Sequence, residues 1–224
     1  MTLLEAIKER HSVRRYDDRP IEAEKVSALQ DAIAKINNLT GLNIQLVLEE
    51  PRAFASGVWK YGQFSGVRNY LVMAGPKGSE AEEAIGYHGE ELVLLAQTMG
   101  INSCWVGLTY TKTAGAFELR PGDIVHCVIA LGYGLTAGVP HPLKPAEQFY
   151  EADGMPPEWF LRGIEAALLA PTAINQMKFR FSLCGPRTVR AKALFSMVGY
   201  THIDLGIAKL HFELGAGKEN FDWD

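Results

Sequence analysis

The segment from Arg10 to Tyr16 concentrates the side chains best suited to hold an anion. It places three arginines, a serine and a histidine within seven residues, in the order Arg10-His11-Ser12-Val13-Arg14-Arg15-Tyr16. A guanidinium offers paired, permanently charged N–H donors in one plane, and these match the oxygens of a phosphate. The hydroxyl of Ser12 adds a donor for the same anion. The residue types and their spacing therefore indicate a phosphate-binding segment.

Spacing alone leaves two other interpretations of this segment open. Basic residues favour the last turn of a helix, where they complement its dipole, and the amphipathic stretch of residues 3–9 directly precedes Arg10. A nucleic-acid patch is the third interpretation, but a formal net charge of −4 gives it little support.

If residues 12–16 are extended, Ser12, Arg14 and Tyr16 share one face of the strand.

A second stretch with chemical potential lies late in the chain and reads Ala170-Pro171-Thr172-Ala173-Ile174-Asn175-Gln176. Proline, threonine and asparagine all favour turns, so a plain helix-to-strand connection is a sufficient explanation. A proline-fixed loop that presents a hydroxyl and a carboxamide also suits the edge of a flat heterocycle, because amides match alternating donors and acceptors. Both interpretations stay open at this point.

The bulk composition predicts a globular protein with a real core. The chain has 224 residues, of which 47% are hydrophobic and 21% charged, enough for one large domain or two small ones. Cys104, Cys127 and Cys184 are widely separated in apolar runs, which predicts buried, reduced thiols. The N-terminus lacks the apolar region of a secretory signal, and apolar runs of about 8 to 10 residues are too short for a membrane span. These observations predict a cytoplasmic protein.

Helical and strand-like patterns alternate along the chain, which predicts the α+β class with a mixed sheet. Helices are predicted over residues 3–10, 23–36, 80–99, 157–169 and 202–214, and strands over residues 44–49, 69–74, 103–107, 124–133 and 178–183. Residues 134–157 predict a connector rich in proline and glycine, and residues 220–224 a loose tail. Trp59, Tyr61 and Phe64 lie in an irregular stretch and either cover a ligand or form loop core.

The chain also contains a faint internal repeat. Residues 20–51 align with residues 155–186 as a helix–loop–strand unit, and the full extent of the repeat is 20–100 against 155–215. Leu29, for example, aligns with Ile164. Two amphipathic units also align by chance, so both a duplication and a coincidence remain open.

Four motifs together resemble the FMN-dependent nitroreductase family. They are Arg10-His11-Ser12-Val13-Arg14, the loop of residues 170–176, Met99-Gly100-Ile101-Asn102-Ser103-Cys104-Trp105-Val106-Gly107, and Ala130-Leu131-Gly132-Tyr133 with Lys144-Pro145. Gly86-Tyr87-His88-Gly89-Glu90 is similar to a segment of a divergent branch from thermophilic bacteria. Two features depart from the family pattern: the proline loop comes late in the chain, and Met177-Lys178 replaces its closing Pro-Trp.

The resemblance implies one nitroreductase-like α+β domain over residues 1–224, with a central mixed or antiparallel sheet flanked by helices. It implies an oxidoreductase in which NAD(P)H reduces bound FMN, and the flavin then reduces a nitroaromatic, a quinone or a similar acceptor. The missing Pro-Trp leaves open a non-enzymatic flavin-binding or storage protein, or a scaffold without a cofactor. Because family members build each flavin site from two subunits, the chain is expected to be a homodimer or an internally duplicated monomer.

The resemblance also assigns roles to residues. Arg10, Ser12 and Arg14 would hold the FMN phosphate and ribityl chain, with Lys144 as a further candidate for the same anion, and His11 would contact the ribityl or the ring edge through its backbone. Residues along the isoalloxazine would be Pro171, Thr172, Ala173 and Asn175, with the backbone of Val106 and Gly107 near the reactive ring nitrogen.

The electron chemistry would belong to the flavin, so we assign no catalytic acid, base or nucleophile to the protein. No metal site is predicted either. His202 and His211 lie on one predicted helix with Asp204, but nine residues of ideal helix separate the two imidazoles by about 13 Å.

Overall fold

The computed structural model describes residues 1–55 and 64–224, so the predicted aromatic residues Trp59 and Tyr61 lie outside the described ranges. The chain divides into two compact units. We call them the antiparallel unit (Glu9–Ala81 and Leu92–Pro140) and the mixed unit (Met1–Lys8, Glu82–Glu91 and His141–Asp224).

Helices and strands alternate along the described chain, and the predicted α+β class is confirmed. The helices are α1 (Leu3–Glu9), α2 (Ala23–Thr40), α3 (Ser79–Thr98), α4 (Glu158–Ala167) and α5 (Thr201–Ala216). The strands are β1 (Gln45–Val47), β2 (Asn69–Pro76), β3 (Asn102–Val106), β4 (Asp123–Gly132), β5 (Tyr150–Ala152), β6 (Phe179–Leu183), β7 (Thr188–Ala193) and β8 (Asp222–Trp223).

The antiparallel unit is built on a four-stranded sheet in the order β1-β2-β4-β3, in which all neighbours are antiparallel. Strands β2 and β4 are central and consist largely of apolar residues, and they are buried over most of their length. The edge strand β3 carries the segment between Asn102 and Val106. Phe64 packs against this core with its ring centre 5.2 Å from that of Phe54, in agreement with the loop-core interpretation of this residue.

The mixed unit holds a second sheet in the order β5-β6-β7-β8, with both parallel and antiparallel neighbours. Its core is aromatic, and the rings of Phe181 and Phe212 stack at 4.7 Å. The predicted loose tail is wrong, because Phe221 is buried and its ring centre lies 5.2 Å from that of Phe212. The indole N–H of Trp223 donates to Glu213 Oε1 at 2.7 Å.

The three cysteines differ in environment. Cys104 and Cys127 are buried, as their apolar surroundings in the sequence predict. Cys184 is exposed just beyond the end of β6, so its predicted burial is wrong.

Within the mixed unit, α5 packs against residues 82–91 of α3 at two glycines. A Cβ atom built on Gly86 would lie 2.0 Å from the carbonyl oxygen of Ile203, and one built on Gly206 would lie 2.0 Å from the carbonyl oxygen of Glu83. Real Cβ atoms do not approach a backbone oxygen so closely, so glycine is required at both positions for this helix spacing. The contact is reciprocal between the two helices.

A buried polar pair lies on the same two helices. His211 Nε2 is 3.0 Å from Glu90 Oε1, and neither side chain is exposed. His211 Nδ1 lies 3.2 Å from the carbonyl oxygen of Ala166. A carbonyl oxygen only accepts, so Nδ1 carries a proton, and a second proton lies between the imidazole and the carboxyl. His211 is therefore engaged in a structural hydrogen-bond network.

We expect the substitution Gly206→Ala to destabilise the protein. Alanine would ordinarily stabilise a helix relative to glycine by about 1 kcal/mol. The added methyl would instead collide with backbone atoms of α3, so we expect a net loss of about 2 kcal/mol in the free energy of unfolding. Urea denaturation followed by circular dichroism measures this change.

Gly185→Ala is the matched control for this test. A Cβ atom at Gly185 would meet only Thr188 atoms at 3.6 and 3.8 Å, an ordinary contact distance, so stability should change little. Equal stability of Gly206→Ala and the unaltered protein would contradict the close packing of the two helices.

Candidate functional site

The predicted anion-binding segment is extended and follows α1 rather than ending it. The helix stops at Glu9, so the interpretation of Arg10 to Tyr16 as a basic helix end is wrong. Ser12 forms a parallel β-bridge with Ser103, and the Val13 N–H donates to the Ser103 carbonyl at 3.0 Å. The segment is therefore attached to the edge strand β3.

The other side of the segment is held equally closely. The N–H of Ser65 donates to the Arg14 carbonyl at 3.0 Å, and the N–H of Tyr16 donates to the Ser65 carbonyl at 2.9 Å. Further along, the N–H of Leu135 donates to the Arg15 carbonyl at 2.9 Å. These contacts fix the backbone on both sides, so the side chains of the segment project from a rigid support.

Tyr16 anchors the end of the segment in the core. Its side chain is buried, and its hydroxyl donates to the Val13 carbonyl at 2.6 Å. Burial raises the pKa of the Tyr16 phenol well above its usual value. A Cβ atom at Gly132 would lie 2.9 Å from the Tyr16 ring, so this glycine makes room for the aromatic ring. Arg14 is exposed while Tyr16 is buried, so Tyr16 does not share a face with Arg14 as an extended strand over residues 12–16 would predict.

The three predicted phosphate ligands all act on the pKa of the Cys104 thiol. Burial raises the pKa of this thiol, and three groups act in the opposite direction: the guanidinium of Arg14, a hydrogen bond with Ser12, and the guanidinium of Arg10. Arg14 is exposed, Ser12 is half-buried, and Arg10 is buried. Arg14 and Ser12 are thus the members of the set that a ligand can reach from solvent.

Two further features belong to this part of the antiparallel unit. A Cβ atom at Gly138 would lie 2.8 Å from His11 Cβ and 3.1 Å from the Ser12 carbonyl oxygen, so the glycine, at φ +80°, allows a close approach to the segment. Val106 is the last residue of β3, two residues beyond Cys104, and Gly107 directly follows the strand. Val106 packs in the core, and Gly107 is half-buried.

The remaining predicted residues form a second group, which lies in the mixed unit. The group comprises Lys144, Pro171, Thr172, Ala173 and Asn175. Lys144 is exposed, and its Nζ lies 3.5 Å from the carbonyl oxygen of Gln176, at the end of the predicted loop. The predicted site residues therefore fall into two groups, one in each unit.

The loop of the second group has an unusual backbone. Ile174, Asn175 and Met177 all have positive φ angles, of 48°, 55° and 51°. This left-handed conformation is uncommon for residues other than glycine, and a β-branched isoleucine adopts it at a cost. Hydrogen bonds within the loop support the turn: the Met177 N–H donates to Thr172 Oγ1 at 3.1 Å, the Asn175 N–H to the Thr172 carbonyl at 3.0 Å, and the Gln176 N–H to the Ala173 carbonyl at 3.0 Å. Such a conformation requires further contacts to hold it.

Asp204 supplies those contacts from the first turn of α5. Its Oδ1 accepts the N–H of Ala173 at 2.9 Å, and its Oδ2 accepts Gln176 Nε2 at 2.7 Å. Gln176 Nε2 also donates to the Gly199 carbonyl at 2.9 Å. Asp204 is only 2% exposed, and desolvation raises the pKa of its carboxyl to about 6.

In the sequence, Asp204 is distinguished only by its position between His202 and His211. The available signal is an acidic residue between the apolar residues Ile203 and Leu205 at the start of a helix. An acidic residue in the first turn is explained by the helix dipole alone. The connection to Ala173 depends on tertiary packing, which the sequence pattern does not contain.

Within residues 1–55 and 64–224, no group of three or more histidine, cysteine, aspartate or glutamate side chains is arranged to hold a metal ion. Over the same ranges, every helix is too short or too polar to cross a lipid bilayer.

Comparison with known proteins identifies the family. Residues 2–216 match the family model described as "Putative TM nitroreductase". A comparison with curated protein sequences gave no match.

Three solved structures show the same fold. A "putative nitroreductase" from Thermotoga maritima has a TM-score of 0.66 at 23% identity, over 98% of this chain and 85% of that one. A "putative nitroreductase" in complex with FMN, from Desulfovibrio desulfuricans, has a TM-score of 0.52 at 22% identity, over 70% and 99%. A "Putative NADH dehydrogenase/NAD(P)H nitroreductase" from Bacteroides thetaiotaomicron has a TM-score of 0.51 at 19% identity, over 66% and 95%.

The buried carboxyl predicts a pH-dependent stability. The folded protein binds the Asp204 proton more tightly than the unfolded chain, because the pKa is raised from 3.8 to about 6. The contribution of this group to stability therefore falls as the pH rises from about 4 to about 6, by up to about 3 kcal/mol. Urea denaturation of the protein and of Asp204→Asn across this range measures the difference.

Asp204→Asn has no proton to lose at this position, so its stability relative to the unaltered protein should improve as the pH rises. An identical pH dependence of the two proteins would show that Asp204 does not titrate in this range.

Proposed function

Because the chain belongs to the nitroreductase family, we propose that it is an FMN-binding oxidoreductase that transfers electrons from NAD(P)H to a nitroaromatic, a quinone or a similar acceptor. The observation that carries the proposal is the extended segment held between Ser103 and Ser65, on which Arg14 is exposed and Ser12 is half-buried. The comparisons support it at the level of fold, since one neighbour of that fold is in complex with FMN and another carries an NAD(P)H name.

The donor set fits the phosphate of FMN. A phosphate monoester carries close to two negative charges at neutral pH and several acceptor oxygens. Arg14 offers an exposed, permanently charged fork, and Ser12 offers a hydroxyl on the same extended backbone. Since that backbone is bonded on both sides, no backbone entropy remains to be lost on binding, and the cost is confined to the side chains.

The remaining predicted residues have positioning roles in this proposal. Bound FMN would supply the electron-transfer chemistry. The backbone of Val106 and Gly107 would lie near the reactive part of the ring, while the loop from Pro171 to Asn175 would contact the ring and Lys144 would add positive charge. The protein binds and orients the cofactor, and we assign no acid, base or nucleophile to a side chain.

The proposal also includes one flavin per chain. The motive is that the sequence has one copy of the arginine–serine segment and one copy of the proline loop. An internally duplicated monomer would then supply both half-sites of an ordinary family dimer. The binding titration described next gives this ratio directly, and a value near two flavins per chain would contradict the proposal.

We expect Arg14→Ala to weaken FMN binding while leaving riboflavin binding unchanged. Riboflavin lacks the phosphate, so it should not depend on the Arg14 charge. Loss of a hydrogen bond to a charged group costs about 1.5–3 kcal/mol, which corresponds to a loss of roughly 10- to 150-fold in affinity for FMN. Quenching of flavin fluorescence on titration with protein measures both affinities.

Arg15→Ala is the matched control, because Arg15 is an exposed neighbour of the same charge and does not contribute to the environment of Cys104. It should bind FMN much like the unaltered protein. Equal weakening by the two variants would indicate a general effect of net charge, and would count against a phosphate site at Arg14.

Turnover separates an enzyme from a flavin-binding protein on the same scaffold. We expect anaerobic addition of NADH or NADPH to bleach the visible absorbance of the flavin-loaded protein, and a nitroaromatic or quinone to restore it. Stopped-flow absorbance measures both phases, and flavin-free protein is the control. A bound flavin that neither nicotinamide bleaches would support the storage alternative and remove the reductase proposal.

A further inference from the structure

We propose that Asp204 is a positioning residue that fixes the loop Ala170–Met177 in the conformation that contacts the flavin ring. The inference rests on the proposed function, since it assumes that this loop contacts a flavin. It adds a residue on α5 to the set predicted from the sequence.

The two oxygens of the Asp204 carboxylate perform different tasks. One accepts a backbone N–H within the loop, from Ala173, and thereby fixes the main chain. The other accepts the side-chain amide of Gln176, which also donates to the carbonyl of Gly199. A single buried carboxylate therefore joins the start of α5, the loop, and the turn at Gly199.

The backbone held by Asp204 is one that this sequence would not adopt by itself. Ile174 has a positive φ although it is β-branched, and its side chain is 77% exposed, so no burial of the side chain compensates the conformation. Residues in such conformations persist when surrounding contacts over-determine them. The carboxylate of Asp204 provides two of those contacts.

The resulting loop presents groups suited to a ligand. Thr172 Oγ1 accepts the Met177 N–H, so its hydroxyl proton is directed elsewhere and can serve as a donor. The carboxamide of Asn175 is on an exposed residue. These are the hydroxyl and amide that suit the polar edge of a flat heterocycle.

A simple helix-to-strand connection does not require this arrangement. Burying a carboxylate is unfavourable, as the raised pKa of Asp204 indicates. Among the residues described, Gln176 Oε1 is also buried without a hydrogen-bond partner, because the other end of the amide is directed at Asp204 and Gly199. The buried carboxylate of Asp204 and the unpaired Oε1 of Gln176 are both unfavourable, and both accompany one defined loop conformation. Such a pattern is typical of functional sites.

The test compares Asp204→Ala and Asp204→Asn with the unaltered protein. Asparagine retains one acceptor oxygen, so the alanine variant should have the larger effect. We expect Asp204→Ala to weaken FMN and riboflavin binding alike, by about tenfold or more, because the loop would act on the ring and not on the phosphate. Fluorescence titration gives both affinities, and the visible circular dichroism of the bound flavin reports the geometry around the ring.

Hydrogen exchange of flavin-free protein tests the clamp without any assumption about function. The Ala173 amide should exchange faster in Asp204→Ala than in the unaltered protein. Val189→Ala is the control, because Val189 is fully buried in the same unit and its truncation should lower stability without altering the ring affinity.

The possible outcomes separate the two proposals. If the unaltered protein binds no flavin, the proposed function fails, whereas accelerated exchange at Ala173 would still establish the clamp. If the unaltered protein binds FMN and Asp204→Ala binds both flavins equally well, the positioning role is wrong and the proposed function stands. If Val189→Ala weakens flavin binding as much as Asp204→Ala does, the effect of Asp204 arises from general stability and the inference is overturned.

Discussion

The close approach of α5 to the middle of α3 is the constraint on which the mixed unit depends. Glycine at two positions lets each helix backbone contact the other, and the side chains further along the crossing then meet at hydrogen-bonding distance. The pairs formed in this way are Glu90 with His211, Tyr87 with Glu213, and Glu83 with Lys209. Asp204 lies one turn or less from Gly206, so the position of the Ala170–Met177 loop follows from the same packing.

The crossing is also nearly symmetric. Each of the two glycines contacts the carbonyl located three residues before the other, since Gly86 meets Ile203 and Gly206 meets Glu83. Reciprocal contacts of this kind characterise two-fold interfaces between identical subunits. Here both helices belong to one chain. The internal repeat stays a prediction.

Local patterns in the sequence predicted the long helices and strands, because periodicity and residue type are local properties. The anion-binding role of Arg10 to Tyr16 stays a prediction. Strand β7 gave a weak signal, since its inward positions after Val189 are alanines and its outward positions are charged. The tail was predicted to be loose from its position alone, yet Phe221 stacks on Trp159 and Trp223 packs against Phe181, and both partners are far away in sequence. Asp204 was missed for the same reason, because its partners belong to another element.

The discontinuous composition of the mixed unit has a consequence for folding during synthesis. All residues of the antiparallel unit have been made once Pro140 has been added, whereas α5 and β8 come much later. Until α5 emerges from the ribosome, Gly86 and the buried carboxyl of Glu90 lack the helix that covers them. Nascent chains of intermediate length therefore expose the middle of α3, and this stretch is where a chaperone or a wrong pairing would act first.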